Sequence, residues 1–220
     1  MHHFPKVFTP NHPLVQHNMA IIRDKNTSRD SFLAAFNRLA SILLLTAFDE
    51  LPTETVTIET PITSCECEKL DLSEPIIVAP ILRAGIGLTQ ESIRLLPEAH
   101  ICTIGMYRDE ETHRPIWYYD KTPATLPENA KVFILDPMLA TGHSALGALD
   151  LFVSKGIKEE NITFVSVLSA PEGLQTIWEK YPQMRVITGA IDDCLNENAY
   201  IVPGLGDAGD RLFNSQLPEK

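Results

Sequence analysis

Short, continuous apolar runs recur along the chain from residue 75 onward, and a loop and a helical pattern follow most of them. Continuous apolar runs are typical of strands that are buried on both faces of a sheet. The predicted strands are residues 76–79, 101–106, 132–135, 162–168 and 186–187, and the predicted helices are residues 87–96, 144–155 and 172–181. This alternation predicts an α/β fold, a parallel-sheet core flanked by helices, with ligands bound beyond the carboxyl ends of the strands.

The first sixty residues have a different pattern. Apolar side chains from Phe32 to Ala47 recur at spacings of three and four, which predicts a helix, and Thr27 followed by Asp30 resembles a capping box. Alternating apolar and polar residues at 54–59 then predict a half-exposed strand. We interpret this part as a peripheral cap or interface with no chemistry of its own.

A long polar and aromatic segment, residues 107–127, separates two of the predicted strands. It is too long for a plain crossover loop, so it predicts a mobile lid or a hairpin. Arg108 stands at its entrance, where the guanidinium can close over a ligand or pair with the acidic residues that follow it.

The charge of the chain narrows the class of partner. Among its 220 residues, 29 acidic against 18 basic side chains give a formal net charge of −11. That balance argues against a binder of nucleic acid or of an anionic membrane, because such binders need clustered cations. The start of the chain has no apolar signal region, and the most apolar stretch, residues 40–48, is too short to span a bilayer. We therefore expect a cytoplasmic protein with no membrane partner.

Four cysteines, at positions 65, 67, 102 and 194, form no C-x-x-C pair and no recognisable metal spacing. Reduced, structural thiols are therefore expected. Cys65 and Cys67 are close enough in sequence to share a soft metal ion, but no histidine or further cysteine lies nearby in sequence to complete a tetrahedral set.

The segment 132–144 contains the most informative loop. An apolar strand ends at Asp136, the chain turns through small residues, and a helix follows. Such a turn presents backbone N–H groups and a helix N-terminus, which bind phosphate without a cation. Thr141 and Ser144 add hydroxyl donors, and Asp136 can accept hydrogen bonds from a ribose. On these residues alone, an ordinary capped helix explains the pattern equally well.

Two further loops have a composition that suits ligand binding. Arg83 follows the strand at 76–79, and an arginine beside a flexible backbone suits phosphate oxygens, although a single arginine at a strand end is more often only solvated. Near the C-terminus, three glycines and a proline fall within residues 203–209. Glycines let backbone groups approach a flat ligand such as a pyrimidine, but a turn-rich tail has the same composition.

Taken in order, five segments resemble the uracil phosphoribosyltransferase family. They are Pro-Ile-Leu-Arg-Ala-Gly at 80–85, Gly-Met-Tyr-Arg at 105–108, Asp-Pro-Met-Leu-Ala-Thr-Gly at 136–142, Ala-Pro-Glu-Gly at 170–173 and Pro-Gly-Leu-Gly-Asp-Ala-Gly-Asp at 203–210. The resemblance extends from His12 to Arg211. A phosphoribosyl-binding loop alone would indicate only the wider type I phosphoribosyltransferase group, whereas the form at 136–142 and the C-terminal run narrow the resemblance to uracil.

The resemblance implies the type I phosphoribosyltransferase fold with a small hood. It implies a reaction of uracil with 5-phosphoribosyl 1-diphosphate that gives UMP and diphosphate in pyrimidine salvage. Magnesium ion is the implied cofactor, carried mainly by the diphosphate rather than by protein side chains. The implied organisation is a single domain over residues 1–220, with an N-terminal arm and helix (1–60), an α/β core (75–190) and a uracil-binding hood segment (191–220).

The same resemblance assigns the site residues. Arg108 and Asp207 are implied to be catalytic. The residues implied to bind 5-phosphoribosyl 1-diphosphate are Arg83, Arg108, Asp136, Pro137, Met138, Leu139, Ala140, Thr141, Gly142, His143, Ser144 and Asp207. The residues implied to bind uracil, largely through main-chain groups, are Ile201, Gly206, Asp207 and Ala208.

Three residues depart from the family pattern. His143 stands where a second glycine is usual, and histidine tolerates a positive φ less well than glycine does. If protonated, His143 could instead add a contact to the 5-phosphate. Cys194 and Ala199 also stand where glycine is more frequent, and we expect them to reshape the pocket wall without touching the base.

Two other functions remain open. One is a regulator that binds the diphosphate sugar only as an effector, which would be expected to show a basic stripe or a helix-turn-helix. The other is a transferase for another base, which would be expected to alter residues 206–208; neither sign is present.

The expected partners are uracil and 5-phosphoribosyl 1-diphosphate, with GTP as a candidate activator and no nucleic acid. A homodimer or homotetramer is expected because a second apolar row on the first predicted helix needs a cover.

Overall fold

The computed structural model describes residues 4–108 and 115–215. The strands are β1 (Val7–Phe8), β2 (Thr53–Glu59), β3 (Ser64–Leu70), β4 (Ile76–Pro80), β5 (His100–Ile101), β6 (Ile104–Arg108), β7 (Pro115–Asp120), β8 (Lys131–Leu135), β9 (Met138–Leu139), β10 (Ile162–Ser169), β11 (Arg185–Ile191), β12 (Cys194–Leu195) and β13 (Ile201–Val202). The helices are α1 (Pro13–Arg23), α2 (Arg29–Ala47), α3 (Ile86–Leu95), α4 (His143–Ser154), α5 (Pro171–Trp178) and α6 (Ala208–Phe213).

Within the described residues, seven strands form one parallel sheet in the order β1-β11-β10-β8-β4-β5, with β9 beside β10. The predicted strands at 76–79, 132–135 and 162–168 are β4, β8 and β10, and β11 begins one residue before the predicted run at 186–187 and extends past it. The three predicted helices are α3, α4 and α5. The parallel α/β fold is therefore confirmed.

Two apolar layers cover the sheet, as expected for strands whose alternate side chains point to opposite faces. On one face Val78, Phe133 and Val165 pack with side chains of α1, α2 and α3. On the other face Ile134 and Phe164 pack with side chains of α4 and α5. Because both faces are covered, the strands need no polar alternation, and their carboxyl ends are left as the place where loops meet.

The prediction of one strand over residues 101–106 is wrong, because the structure has two strands there. β5 ends at Ile101 on the edge of the main sheet, and after two residues the chain enters β6, which pairs antiparallel with β7. A register shift at Gly105 accompanies this pairing, and a Cβ on Gly105 would lie 2.5 Å from the Tyr118 ring. The hairpin predicted for residues 107–127 is present as β6 and β7, and the segment that joins them, residues 109–114, lies outside the described residues.

The N-terminal third is less peripheral than the sequence suggests. Helix α2 begins with Ser28 rather than Thr27 as its cap, since Ser28 Oγ accepts from Ser31 N, whereas the Thr27 hydroxyl donates to the Ile21 carbonyl. By length and mean hydropathy (1.6), the stretch Arg29–Glu50 resembles a membrane span, but eight residues of α2 are buried in the core.

The second apolar row on α2, which is Leu33, Ala40 and Leu44, is also covered within the chain, because Ala40 and Leu44 are fully buried and the half-buried Leu33 packs against the core. This row therefore does not require a partner copy, and the argument for self-association that relied on it is wrong. The predicted strand at 54–59 is β2, and it pairs with β3, which the sequence reading missed. These two strands form a separate two-stranded sheet, here called the β2–β3 hairpin.

Candidate active site

The loop after β8 forms a small recess at the carboxyl edge of the sheet. Its volume is about 100 Å³, and it is lined by Asp136, Met138, Leu139, Ala140, Thr141, Gly142, Ser144 and Ala145. The recess contains the N-terminus of α4, a helix of 12 residues, whose first backbone N–H groups have no partner within the helix. Positive dipole ends and free N–H groups of this kind attract a phosphate.

Gly142 gives the recess its shape. Its φ of +81° lies in the left-handed region, which costs other L-residues free energy. A Cβ at this position would also lie 2.8 Å from the Gly173 carbonyl oxygen on α5. Gly173 has the same constraint, since its Cβ would lie 2.4 Å from the Ala140 carbonyl oxygen. The two glycines allow the loop and α5 to pack directly against each other.

Asp136 projects into this recess from the end of β8. Burial raises the pKa of its carboxyl to about 7, and the backbone N–H of Met138, 3.3 Å from Oδ1, opposes that shift. Among the described residues, no cation lies within ion-pair distance of this carboxylate. A half-buried carboxyl without a cation is suited to accept hydrogen bonds from ligand hydroxyls, because such bonds replace the solvation that it has lost.

His143 is the first residue of α4 and has a helical backbone. The position therefore does not need a positive φ, and the conformational cost expected for histidine there does not arise. Its Nδ1 lies 2.8 Å from Thr141 Oγ1, and the side chain is exposed beside the recess. Pro137 is buried in the turn below. Neither residue lines the recess itself.

The loop after β4 lies against the end of β8. The Ile81 amide donates to the Leu135 carbonyl at 2.9 Å, and a Cβ on Gly85 would lie 2.4 Å from that same oxygen. Gly85 is therefore required for the close approach of the two loops. Arg83 stands at the tip with 61% of its side chain exposed, so its guanidinium is available to a ligand.

The segment that the family resemblance assigns to uracil binding folds as β13, a glycine-rich loop and α6. Ile201 and Ala208 are buried, at the two ends of this segment. Gly206 has a φ of +80°, and no atom lies within 4 Å of where its Cβ would be. Asp207 caps α6, with its carboxylate accepting from the Asp210 amide at 2.8 Å. The loop thus has open space on the side of Gly206.

Arg83 joins the two halves of the site. Its Nη2 lies 3.5 Å from Asp210 Oδ1 on α6. A Cβ on Gly209 would lie 3.8 Å from that nitrogen and 3.2 Å from Asp207 Oδ1. The loop after β4 that carries Arg83, here called the arginine loop, and residues 203–207 between β13 and α6, here called the base loop, are therefore neighbours. Arg108 is the last residue of β6, and its side chain lies outside the described part of the structure.

An ion pair between Arg23 and Asp192, here called the clamp, holds the base loop and was not predicted from the sequence. Arg23, at the end of α1, makes two contacts with Asp192, at 2.8 and 2.5 Å, and also donates to the Gly204 carbonyl at 2.8 Å. Asp192 Oδ2, which accepts from Arg23 Nη1, also accepts from the Gly204 amide at 2.8 Å. Asp192 follows β11 directly, which places it at the carboxyl edge of the sheet with the other loops. No local pattern around Arg23 indicated this partner, 169 residues away.

A second arginine links the same elements. Arg211 donates to the carbonyls of Ile22, Asp24 and Leu205, and its guanidinium stacks over Phe32 at 4.2 Å. Burial lowers the pKa of Arg211 somewhat, but it stays a cation. A cavity of about 590 Å³ lies here, lined by Arg23, Lys25, Thr27, Arg29, Phe32, Pro203, Leu205, Gly206, Asp207, Asp210, Arg211 and Asn214. The N-terminal third therefore lines a cavity that reaches Gly206 and Asp207, a position that the sequence did not predict.

The geometry agrees with comparison to known proteins. The family model of uracil phosphoribosyltransferase matches residues 9–215. The chain belongs to this family. A uracil phosphoribosyltransferase of Ligilactobacillus salivarius is 45% identical over 206 residues, covering 94% of this chain and 97% of the relative. That of Dictyoglomus thermophilum is 42% identical over 210 residues, covering 96% and 100%. The resemblance read from the sequence is confirmed.

Solved structures agree with this membership of the uracil phosphoribosyltransferase family. A protein from Aquifex aeolicus is 32% identical, with a TM-score of 0.85 over 96% of this chain and 99% of that one. An adenine phosphoribosyltransferase from Leishmania donovani, 15% identical, has a TM-score of 0.57 over 89% and 87%, and so shares the fold alone.

The side chains of the site determine how the magnesium ion implied by the family could be bound. Among the described residues, no group of three His, Cys, Asp or Glu side chains is arranged to hold a metal ion. Magnesium is commonly held by one or two carboxylates together with substrate phosphates. Asp136, after β8, and Asp207, before α6, are the carboxylates of the two binding loops. These two side chains fit a magnesium ion that arrives on a phosphorylated substrate, and among the described residues they do not form a closed protein site.

Proposed function

We propose that the site catalyses the reaction that gives the family its name, the transfer of a phosphoribosyl group from 5-phosphoribosyl 1-diphosphate to uracil, with UMP and diphosphate as products. The observation that carries this proposal is the 3.5 Å contact between Arg83 and Asp210, because it joins the arginine loop to the base loop at the edge of the sheet that also holds the phosphate recess. A phosphate, a sugar and a flat base need adjacent sites of these three kinds.

The recess is assigned to the 5-phosphate. Backbone N–H groups from Ala140 to Ser144 and the α4 N-terminus provide donors, and the hydroxyls of Thr141 and Ser144 add two more. Pro137, Met138 and Leu139 shape the turn, and His143 lies beside it. The small volume, about 100 Å³, suits a phosphate better than a base.

Asp136 is assigned to the ribose hydroxyls. Its carboxylate is the acceptor nearest the recess, and a ribose whose phosphate occupies the recess would bring its hydroxyls toward the end of β8. Each hydroxyl that donates to a carboxylate contributes about 1.5 to 3 kcal/mol. Hydrogen bonds to the ionised form also lower the pKa of the carboxyl from its raised value, so binding of the sugar favours the carboxylate.

Uracil is assigned to the loop of Ile201 and Gly206 to Ala208. The buried Ile201 and Ala208 side chains hold the backbone in place, and the open space beside Gly206 admits a planar ring. Main-chain N–H and C=O groups match the alternating donors and acceptors of the uracil imide edge. Asp207 belongs to this loop, and its Oδ1 and Arg83 Nη2 both lie within 4 Å of the position of a Cβ on Gly209, so Asp207 is assigned a role with both substrates.

Departure of diphosphate leaves positive charge on the ribose and places negative charge on the leaving group. Arg83 and Arg108 are assigned to the diphosphate, where two guanidinium groups would stabilise the growing negative charge. Magnesium ion, carried by the diphosphate oxygens, supplies additional neutralisation when it is bound. The β6–β7 hairpin is assigned as the element that keeps water from the activated sugar.

The experiment that tests these roles compares two equally exposed arginines. Arg83 and Arg94 each have 61% of the side chain exposed, and each pairs with one carboxylate among the residues that the structure describes, but Arg94 lies at the far end of α3. Arg83→Ala should raise the KM for 5-phosphoribosyl 1-diphosphate about 30-fold, equivalent to about 2 kcal/mol for a charged hydrogen bond. Arg94→Ala should leave UMP formation within twofold of the wild type. Equal effects of the two variants would refute the assignment of Arg83.

We further propose GTP as an activator of this chain. The proposal is supported by the 590 Å³ cavity, which is lined by three arginines and a lysine and reaches Gly206 and Asp207 of the base loop. Among the described residues, Lys25 and Arg29 are the two cations of this cavity with no hydrogen bond to Asp192 or to residues 203–207, and Arg29 donates instead to the Leu212 carbonyl of α6 at 3.1 Å. The Lys25→Ala/Arg29→Ala double variant should abolish any stimulation of UMP formation by GTP and keep the basal rate. Absence of stimulation in the wild type would refute this activation without affecting the transferase assignment.

The remaining assignments are the compartment, the assembly and the internal division of the chain. We propose a cytoplasmic enzyme that works as a homodimer or homotetramer, with no nucleic acid or membrane as partner. We also propose the division into an N-terminal arm (1–60), a core (75–190) and a hood segment (191–220). Sedimentation velocity of the full chain distinguishes the dimer from the tetramer, and a monomer at assay concentrations would refute both.

A further inference from the structure

The β2–β3 hairpin carries two thiols that the catalytic assignment does not use. Cys65 and Cys67 are two residues apart on β3, so their side chains leave the same face of the strand. Their sulfur atoms lie 3.6 Å apart, within hydrogen-bond contact. Both residues are half-buried, whereas Glu66 between them is exposed on the opposite face.

The partner strand holds the two thiols in place. Val56 pairs with Cys67 and Ile58 pairs with Cys65, and both aliphatic side chains are half-buried on the same face. Directly opposed residues of an antiparallel pair have Cβ atoms about 5 Å apart, so the sulfurs lie beside apolar neighbours. The thiols are therefore fixed side by side on a paired strand and not on a loose loop.

The separation of the sulfurs decides which chemistry suits the pair. A disulfide needs an S–S bond of about 2.05 Å and Cα atoms no more than about 6.8 Å apart. Residues two apart on an extended strand already stand near that limit, since the strand rises about 3.4 Å per residue. A single atom bonded to both sulfurs at about 2.3 Å would instead span 3.6 Å with an S–X–S angle of about 100°. The geometry favours a bridging atom over a direct bond.

The number of ligands selects that atom. Structural zinc takes four protein ligands, and the described residues offer no group of three or more around this pair. A trivalent arsenic centre with one carbon substituent needs only two further ligands, prefers soft sulfur, and is pyramidal. We propose that Cys65 and Cys67 form a dithiol site that binds one monosubstituted trivalent arsenical.

The bond changes balance without an oxidant. An arsenical of the form R–As=O reacts with both thiols, so that two As–S bonds form, the arsenic–oxygen bond is lost, and the two thiol protons leave with that oxygen as one water. Arsenic stays trivalent and no electrons are transferred. The hydrogen bond with Cys67, and then burial, raise the pKa of the Cys65 thiol, so this thiol keeps its proton at neutral pH and can supply it to the departing oxygen.

The test is intact-mass spectrometry of the reduced full chain with phenylarsine oxide, in an excess of a monothiol that removes singly attached arsenic. The wild type should retain one phenylarsenic group per chain. Cys65→Ser and Cys67→Ser should each bind at least about 100-fold more weakly, since the second attachment is intramolecular. Cys194→Ser is the matched control, because Cys194 is an exposed single thiol on another strand; it should bind as the wild type does.

Two results would overturn the site. One is release of the probe from the wild type to the monothiol, and the other is retention by either hairpin serine variant. Because a serine variant could lose binding by unfolding the hairpin, Cys65→Ala and Cys67→Ala are measured beside them, with thermal unfolding of each. Variants that unfold as the wild type does and still retain the probe would exclude Cys65 and Cys67 as its ligands.

Discussion

Arg23 and Asp192 form a two-contact ion pair, with nitrogen–oxygen distances of 2.8 and 2.5 Å, that joins the end of α1 to the start of the hood segment. Asp192 has 3% of its side chain exposed, so the charge depends on Arg23 for its compensation. Both residues also bind the backbone of Gly204, one through its carbonyl and the other through its amide. The conformation of the base loop is therefore set partly by the first helix.

Asp192→Asn should loosen the base loop and leave the phosphate recess intact. We expect the KM for uracil to rise about tenfold and the KM for 5-phosphoribosyl 1-diphosphate to change less than twofold, because the loop shifts but the recess after β8 does not. Stability should fall by about 3 kcal/mol, since a buried pair loses one partner. Initial-rate kinetics with each substrate varied measure this split. An equal rise in both KM values would assign Asp192 a general structural role only.

Gly142 and His143 should respond in opposite ways to substitution. Gly142→Ala puts a Cβ into the Gly173 carbonyl at a φ of +81°, so we expect at least a tenfold loss of kcat/KM for 5-phosphoribosyl 1-diphosphate. His143→Gly should keep activity within threefold, because His143 already has a helical backbone, and should lower stability by roughly 0.5 to 1 kcal/mol. Restoration of a missing activity by His143→Gly would show that histidine disables the recess.

Ala199 carries backbone strain that a glycine would relieve. Its φ is +61°, in the left-handed region, inside a turn closed by the Asn196 side chain. We expect Ala199→Gly to stabilise the protein by about 0.5 kcal/mol, the balance of roughly 1 kcal/mol of relieved strain and the added entropy of the unfolded chain. Asn214, at φ +52°, is the control, because asparagine tolerates this region and should gain less from glycine. Urea unfolding of both variants decides the order.

The raised pKa of Asp136 predicts a pH dependence of stability. The folded value is about 7 and the unfolded value is 3.8, so the folded state binds the proton more tightly. Its contribution to stability is complete below about pH 3.8 and is lost as the pH rises through 7. Asp136→Asn removes the ionisation and should be more stable than the wild type at pH 8, by roughly 2 kcal/mol, and by less near pH 5. A difference that is constant with pH would contradict the raised pKa.

The strands of the core could be predicted because burial on both faces makes them apolar along nearly their whole length, as in β4, β8 and β10. The split at Ile101 could not, because one apolar run serves two sheets and the break depends on the packing of Tyr118 against Gly105. The paired strand β3 alternates polar residues with two cysteines, a pattern with no strong strand signal.

The sequence pointed to the loops that we propose bind the ligand through their backbone. Turns that need a positive φ, such as those at Gly142 and Gly206, can be recognised in the sequence because glycine adopts this conformation more readily than other residues do. The clamp of Arg23 on Asp192 could not be recognised in this way, since an arginine at the end of a helix is common and its partner lies 169 residues away. The side chain of Arg108 lies outside the described residues, so its role stays a prediction.

The central claim is tested most directly by the choice of base. Purified full-length protein with 5-phosphoribosyl 1-diphosphate and magnesium is offered uracil, cytosine, orotate and adenine in parallel, and nucleotide formation is followed by chromatography. We expect UMP from uracil and no nucleotide from the other three bases, with activity lost in Asp136→Asn. Turnover of another base, or no turnover of uracil by folded protein, would contradict the assignment of uracil as the substrate.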